Sequence, residues 1–114
     1  MKITDIVKIL DAQVIVGRED MDYSIDHGFA SDLMSDVLTL EEEHLILITG
    51  LCNNQTIRTA EMANISVILF VRNKQVSEDM IELALENDII ILSCKYSMFR
   101  TVGLLYENGL VPVY

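Results

Sequence analysis

The sequence predicts a single α/β domain, built in three layers around a mostly parallel sheet. Two observations carry that prediction. Three runs of nearly continuous Ile, Leu and Val (Leu45 to Thr49, Val67 to Val71 and Ile89 to Leu92) start about 22 residues apart. Helical patterns fill the intervals between them. Strands buried on both faces read as continuous apolar runs, and their alternation with helices suits βαβ units with right-handed crossovers. The length of 114 residues fits one domain spanning 1–114 and leaves no room for two.

Each element follows from local pattern. Thr4 is positioned to cap a short helix carrying Ile6, Val7, Ile9 and Leu10 on its apolar side. Ala12 to Val16 reads as a strand that ends at Gly17, and Arg18 to Asp22 is charged and turn-like. Tyr23 to Phe29 is a weaker strand interrupted by Gly28. Ser31 or Asp32 opens a helix through Leu38 with Leu33, Met34, Val37 and Leu38 facing inward, and Glu41 to Glu43 form a solvated link. After the first buried strand, Gly50 to Asn54 is a turn and Gln55 to Ala63 a helix with Ile57, Ala60 and Met62 apolar. The turn Arg72-Asn73-Lys74 follows the second. Ser77 then caps a helix through Glu86, with Met80, Ile81, Leu83, Ala84 and Leu85 inward. A last helix runs from about Ser97 to Asn108, Gly109 stops it, and Pro112 lies in the tail.

Composition narrows the function classes. The net charge of −10 repels a phosphate backbone and an anionic membrane, so neither nucleic acid nor membrane is an expected partner. Two cysteines, Cys52 and Cys94, are too few for a secreted disulfide scaffold and read as thiols in a reducing compartment. The N-terminus carries no long apolar stretch of signal-peptide type, and the apolar runs are far shorter than a membrane span. A cytoplasmic location is the expectation.

In open parallel sheets, ligands gather beyond the carboxyl ends of the strands. Three loops build that edge here. They contribute Thr49, Gly50, Asn53 and Asn54, then Arg72 and Lys74, then Ser93, Lys95 and Ser97. Arg72, Lys74 and Lys95 are three of only eight basic residues, and their clustering favours a small anion. Helix starts near Asn54 and Ser97 add backbone donors. The same residue types are common in any exposed loop, and no GxxxxGK[ST] or GxGxxG is present, so no cofactor is implied.

Other groupings have plainer readings. Cys52 and Cys94 follow adjacent strands and would approach one another there, yet neither pairs with His27 or His44 at a metal-ligand spacing. Buried or half-buried structural thiols are the simpler reading. Asp32 and Asp36 stand four apart on one helix, an arrangement for Mg²⁺ or acid–base work, or simply a solvated acidic face. Met62, Met80 and Met98 read as core. The stripe Met98, Val102 and Leu105 with Tyr106 reads as core or as an interface with a second copy.

The stretch Gly28-Phe29-Ala30-Ser31-Asp32-Leu33-Met34-Ser35-Asp36-Val37-Leu38 is distinctive. So are Leu47-Ile48-Thr49-Gly50-Leu51 and Ile57-Arg58-Thr59-Ala60-Glu61-Met62-Ala63. In order and spacing they resemble the DRTGG domain family across about residues 3 to 110. The resemblance implies an α/β fold similar to the N-terminal domains of HPr kinase and of muramyl ligases. It implies a regulatory or assembly role, often as a homodimer, in proteins that include CBS-containing pyrophosphatases, phosphotransacetylases and stand-alone members encoded near iron-only hydrogenases. It implies no kinase activity, which belongs to a separate P-loop domain. Many members carry a Gly-Asp-Arg turn after the strand that ends here in Thr49, whereas this sequence has Gly50-Leu51-Cys52-Asn53-Asn54.

The functional expectation is therefore a non-catalytic regulatory or sensor domain that binds a small anionic ligand, such as an adenine nucleotide, at the carboxyl edge of the sheet. The alternative is a homodimeric module that docks a protein partner of a hydrogenase or kinase system. An enzyme is the third reading, and it lacks a convergent set of titratable groups.

Overall fold

The three apolar runs form the centre of a six-stranded sheet in the computed structural model, which describes residues 1–114. They are β3 (Leu45–Thr49), β4 (Val67–Phe70) and β5 (Ile90–Ser93), and every residue in them is buried. Parallel neighbours on one side are β2 (His27–Ala30) and β6 (Val111–Pro112), while β1 (Gln13–Val16) closes the other edge antiparallel to β5. The spatial order is β1-β5-β4-β3-β2-β6. Registers of Ile46 with Val67, and of Val67 with Ile90, give the 22-residue recurrence its physical basis.

Successive side chains of a strand point to opposite faces. Leu45, Leu47, Ile68, Phe70 and Ile91 therefore pack in one cluster with α2 (Met34–Val37), α3 (Asn54–Met62) and α4 (Glu78–Glu86). Ile46, Ile48, Val67, Leu69 and Leu92 pack in a second cluster with α1 (Ile3–Leu10) and α5 (Met98–Glu107). Three layers result. From β2 to β5 the chain advances with its helices on one face, and α5 then carries it back along the other face to β6, beside β2. No helix is long and apolar enough to cross a membrane.

Several local expectations give way to tertiary bonds. Thr4 does not cap α1: Lys2 holds the N-cap position, its N–H donates to Asp5 Oδ2 at 2.9 Å, and the Thr4 hydroxyl donates to the Met21 carbonyl. The strand expected over Tyr23–Phe29 shortens to His27–Ala30. The helix expected from Ser31 or Asp32 shrinks to one turn, because the Ser31 hydroxyl accepts from Leu33 N–H and Asp32 bonds across to β3. The supposed tail around Pro112 forms β6, an edge position where the missing N–H of proline costs nothing. Gly28 faces this turn closely: a Cβ there would meet Leu110 Cδ2 at 2.7 Å.

Four inward assignments reverse. Leu33, Leu38, Met62 and Leu85 are all exposed, the first two because the helix expected to turn them inward is cut to one turn. At 3.6 residues per turn, Met62 lies about 200° round from Ala60, and Leu85 about 100° round from Ala84, the residues that face the sheet. Met80 is buried as expected, and Gly109 stops α5 at φ +102°.

Candidate functional site

Neighbouring strands β4 and β5 send the chain to opposite faces of the sheet, β4 into α4 and β5 into α5. Such a switch of direction opens a crevice at the carboxyl ends. Here its floor is bridged by main chain. Arg72 N–H donates to the Tyr96 carbonyl at 2.8 Å and Asn73 N–H to the Cys94 carbonyl at 2.9 Å. Arg72 and Asn73 reach those acceptors in the left-handed region, at φ 65° and 56°. A ligand is thus offered the top of this edge, with side chains rather than a deep slot.

The side chains there are cationic. Arg72 and Lys95 are exposed and Lys74 is half-buried. Arg100, in the first turn of α5, sits on the same edge with its guanidinium 3.9 Å from the centroid of the Tyr96 ring. The ion pair of Lys2 with Asp22 and the 3.9 Å approach of His27 Nδ1 to Glu42 involve none of the four. Half of the eight basic residues therefore stand at one edge without a carboxylate partner.

The β3 loop does different work. Asp32 Oδ1 accepts from Thr49 Oγ1 and from Gly50 N–H, both at 2.8 Å. Thr49 Oγ1 in turn accepts from Leu51 N–H, and Thr56 Oγ1 donates to the Leu51 carbonyl. Asn53 Oδ1 caps α3 by accepting from Thr56 N–H, and Ser97 Oγ caps α5 by accepting from Arg100 N–H. Ser93 is buried in β5. Of the nine residues singled out in the sequence, Thr49, Gly50, Asn53 and Ser97 are thus engaged in holding loops and helix starts. Arg72, Lys74, Lys95 and exposed Asn54 have side chains without protein hydrogen-bond partners.

The paired groupings come apart. Cys94 is buried in the α1–α5 layer with Sγ 3.4 Å from Thr101 Oγ1, whereas Cys52 packs on the opposite face and donates to the Gln75 carbonyl. The sheet lies between them. His27 and His44 stand at the amino ends of β2 and β3, the far edge from both thiols. Burial pushes the Cys52 thiol pKa up, and the nearby Lys74 ammonium pulls it partly back. A raised pKa leaves Cys52 a weak nucleophile at neutral pH. Asp32 lies outside α2, so the four-residue spacing does not place it on one helix face with Asp36. No group of three His, Cys, Asp or Glu side chains is placed to hold a metal ion.

Two features escaped the sequence reading. Arg100 has a signal, three residues after the capping Ser97, which puts it in the first helical turn on the ligand edge. The bond from Thr49 to Asp32 has none, because it links residues brought together only by pairing of β2 with β3.

Comparison with known proteins bears on the fold. The chain is similar to a solved structure of the CBS and DRTGG domains of the regulatory region of Clostridium perfringens pyrophosphatase, complexed with the activator diadenosine tetraphosphate. The TM-score is 0.68 at 16% identity, over 89% of this chain and 44% of that one. The chain therefore spans less than half the length of that regulatory region. Comparison with the curated proteins finds no match. The family model of the DRTGG domain matches residues 5–107. On that match, which takes in β1 to β5 and all but the first residues of α1, the chain belongs to the DRTGG domain family.

Proposed function

We propose that the chain is a non-catalytic regulatory domain that binds a small anionic ligand, an adenine nucleotide for preference, on the carboxyl edge of its sheet. One observation carries the reading: Arg72, Lys74, Lys95 and Arg100 stand without carboxylate partners at the strand-switch edge of a chain whose net charge is −10. Unpaired cations on an acidic domain concentrate an anion locally. Phosphates suit the four cations, and an aromatic base suits the Tyr96 ring beside Arg100. The activator in the Clostridium perfringens complex joins both chemistries in one molecule. Two thiols on opposite faces of the sheet suit a reducing, cytoplasmic setting.

The test is thermal shift and calorimetry with AMP, ATP and diadenosine tetraphosphate. A ligand at about a hundred times its Kd raises stability by about 2.7 kcal/mol. Replacing Arg72 and Lys95 together by Gln should weaken binding about tenfold or more while leaving the melting temperature of the free chain in place. No stabilisation by any of the three at millimolar concentration would sink the proposal.

A second reading has its own observation. Phe99 is 91% exposed and shares the outer face of α5 with Val102 and Tyr106. An apolar cleft of about 60 Å³ separates this helix from β2 and β6. Burial of that face in a homodimer, or against a protein partner, makes the domain an interaction module. Light scattering at high concentration decides it: a monomer with no co-purifying partner rules the module out.

A further inference from the structure

The opposite edge of the sheet holds a groove that the proposed ligand site does not use. It has a volume of about 520 Å³ and lies between the segment before β3 and the end of α3. Leu38, 47% exposed, and Met62 line it as apolar surface, and Glu41, Glu42 and Glu43 form its rim. A second groove of about 300 Å³ shares Asn64 and Ser66 with the first, extends it toward β5 and adds Glu61. Neither groove contains a lysine or an arginine.

The helices reinforce the charge. A helix C-terminus carries partial negative charge, which a Lys or Arg in the last turn commonly balances. Both α3 and α4 end at this edge, and neither has a basic residue in its last turn. α4 instead ends on Glu86, with Asp88 just beyond. Of the rim glutamates, only Glu42 has a basic side chain close by, His27 with Nδ1 at 3.9 Å.

We infer that this groove docks a basic peptide segment of a partner protein, its Lys or Arg side chains over Glu41–Glu43 and Glu61 and an aliphatic anchor against Leu38 and Met62. The choice of occupant rests on complementarity. A bare cation or polyamine satisfies the glutamates and leaves Leu38 and Met62 in water. A neutral apolar segment covers those two and leaves the helix ends unbalanced. A second copy, docking its basic edge here, makes a head-to-tail contact that assembles the free chain into rings or open chains, and it spends the cations of the carboxyl edge.

The experiment is fluorescence anisotropy on the full chain with three labelled peptides of about twelve residues, alternating Lys with Leu, Lys with Ser, and Glu with Leu. The Lys/Leu peptide should bind at least about tenfold more tightly than the other two. The combined variant Glu41→Gln, Glu42→Gln, Glu43→Gln and the single variant Met62→Ser should each weaken it about tenfold, and Arg72→Gln should not. Amide shifts of the unsubstituted chain give a reading independent of variant folding, and should concentrate over residues 38–43 and 61–66. Equal binding of the Lys/Ser peptide or of spermine overturns the proposal, because it shows a polycation site without an anchor. So do shifts over 72–74 and 94–97, growth of the free chain into oligomers through this edge, or no binding at millimolar peptide.

Discussion

The two edges of one sheet are built to opposite specifications. At the carboxyl edge, loops are bonded to one another through the main chain: Val71 to Thr49, Arg72 to Tyr96, Asn73 to Cys94. Asp32 ties the β2 end to the β3 end, and three helices start there under their own side-chain caps. Free cations project from that braced frame. At the amino edge, helices end without basic residues, and a run of three glutamates borders open grooves. The βα crossovers start α3, α4 and α5 at the carboxyl edge and end them at the amino edge, while α1, which leads into antiparallel β1, runs the other way. The fold thus supplies a gradient of backbone charge. This sequence strengthens the gradient, with cations at the positive edge and carboxylates at the negative one, instead of neutralising it. An arrangement that forgoes self-compensation leaves both edges with unspent electrostatic attraction for something outside the chain.

The sharpest way to break the comparison is to unbrace the carboxyl edge. Asp32→Ala removes the acceptor of a hydroxyl that is wholly buried at Thr49, together with a partner of Gly50 N–H. Hydrogen bonds to a charged group set the cost at about 2 kcal/mol, measurable as a shift of the urea midpoint. Asp32→Asn keeps an acceptor without the charge and should lose less. The matching change at the amino edge, Gln for Glu41, Glu42 and Glu43, should move stability by less than about 0.5 kcal/mol, since those side chains are solvated. Equal losses at the two edges would contradict the asymmetry.

Much of this was legible in the sequence, for a physical reason. Strands β3, β4 and β5 are buried on both faces, so their apolar runs are uninterrupted and their spacing follows from the crossovers. Ser77 and Ser97 announce helices because a cap is a local bond, made three residues along. What stayed hidden depends on contacts distant in sequence. β6 is two residues long, contains a proline, and exists only because Leu110 brings it against Gly28 and β2. The helix at Ser31–Leu38 shortens because Asp32 has a better partner in Thr49, seventeen residues away. At the candidate site, the placing of Arg72, Lys74 and Lys95 at the carboxyl edge was legible from loop position. The separation of Cys52 from Cys94 was not, because the face each thiol takes is set by which helix layer follows its strand.

A smaller test probes the field at the carboxyl edge directly. Cys52 reports it, because burial raises its thiol pKa while Lys74 lowers it. Lys74→Met should remove the lowering influence and slow iodoacetamide alkylation of Cys52 a few-fold near pH 8, with buried Cys94 unreactive in both proteins. The sign for stability follows. A thiol with a raised folded pKa contributes stability fully below the ordinary value of about 8.5, and that contribution is lost as pH rises through the raised value. The Lys74 variant should hold it to higher pH. An alkylation rate unchanged by the substitution would show that the Lys74 charge does not reach the Cys52 thiol.

The smallest expected effect comes from correcting the other edge. Glu86 is the exposed last residue of α4, where it adds a negative charge to a negative helix end. Glu86→Lys reverses that charge, and interactions of this kind contribute about 0.3–1 kcal/mol at low ionic strength. The variant should therefore be slightly more stable than the parent in chemical denaturation, and the gain should shrink as salt rises and screening shortens its range. A substitution that stabilises the free domain while weakening capture of a basic peptide would locate the reason for the missing cation: the helix end is left uncompensated because its charge is used in binding. If the lysine stabilises without touching peptide binding, the deficit at α4 is only a tolerated local cost, and the attraction at this edge resides in Glu41 to Glu43 and Glu61.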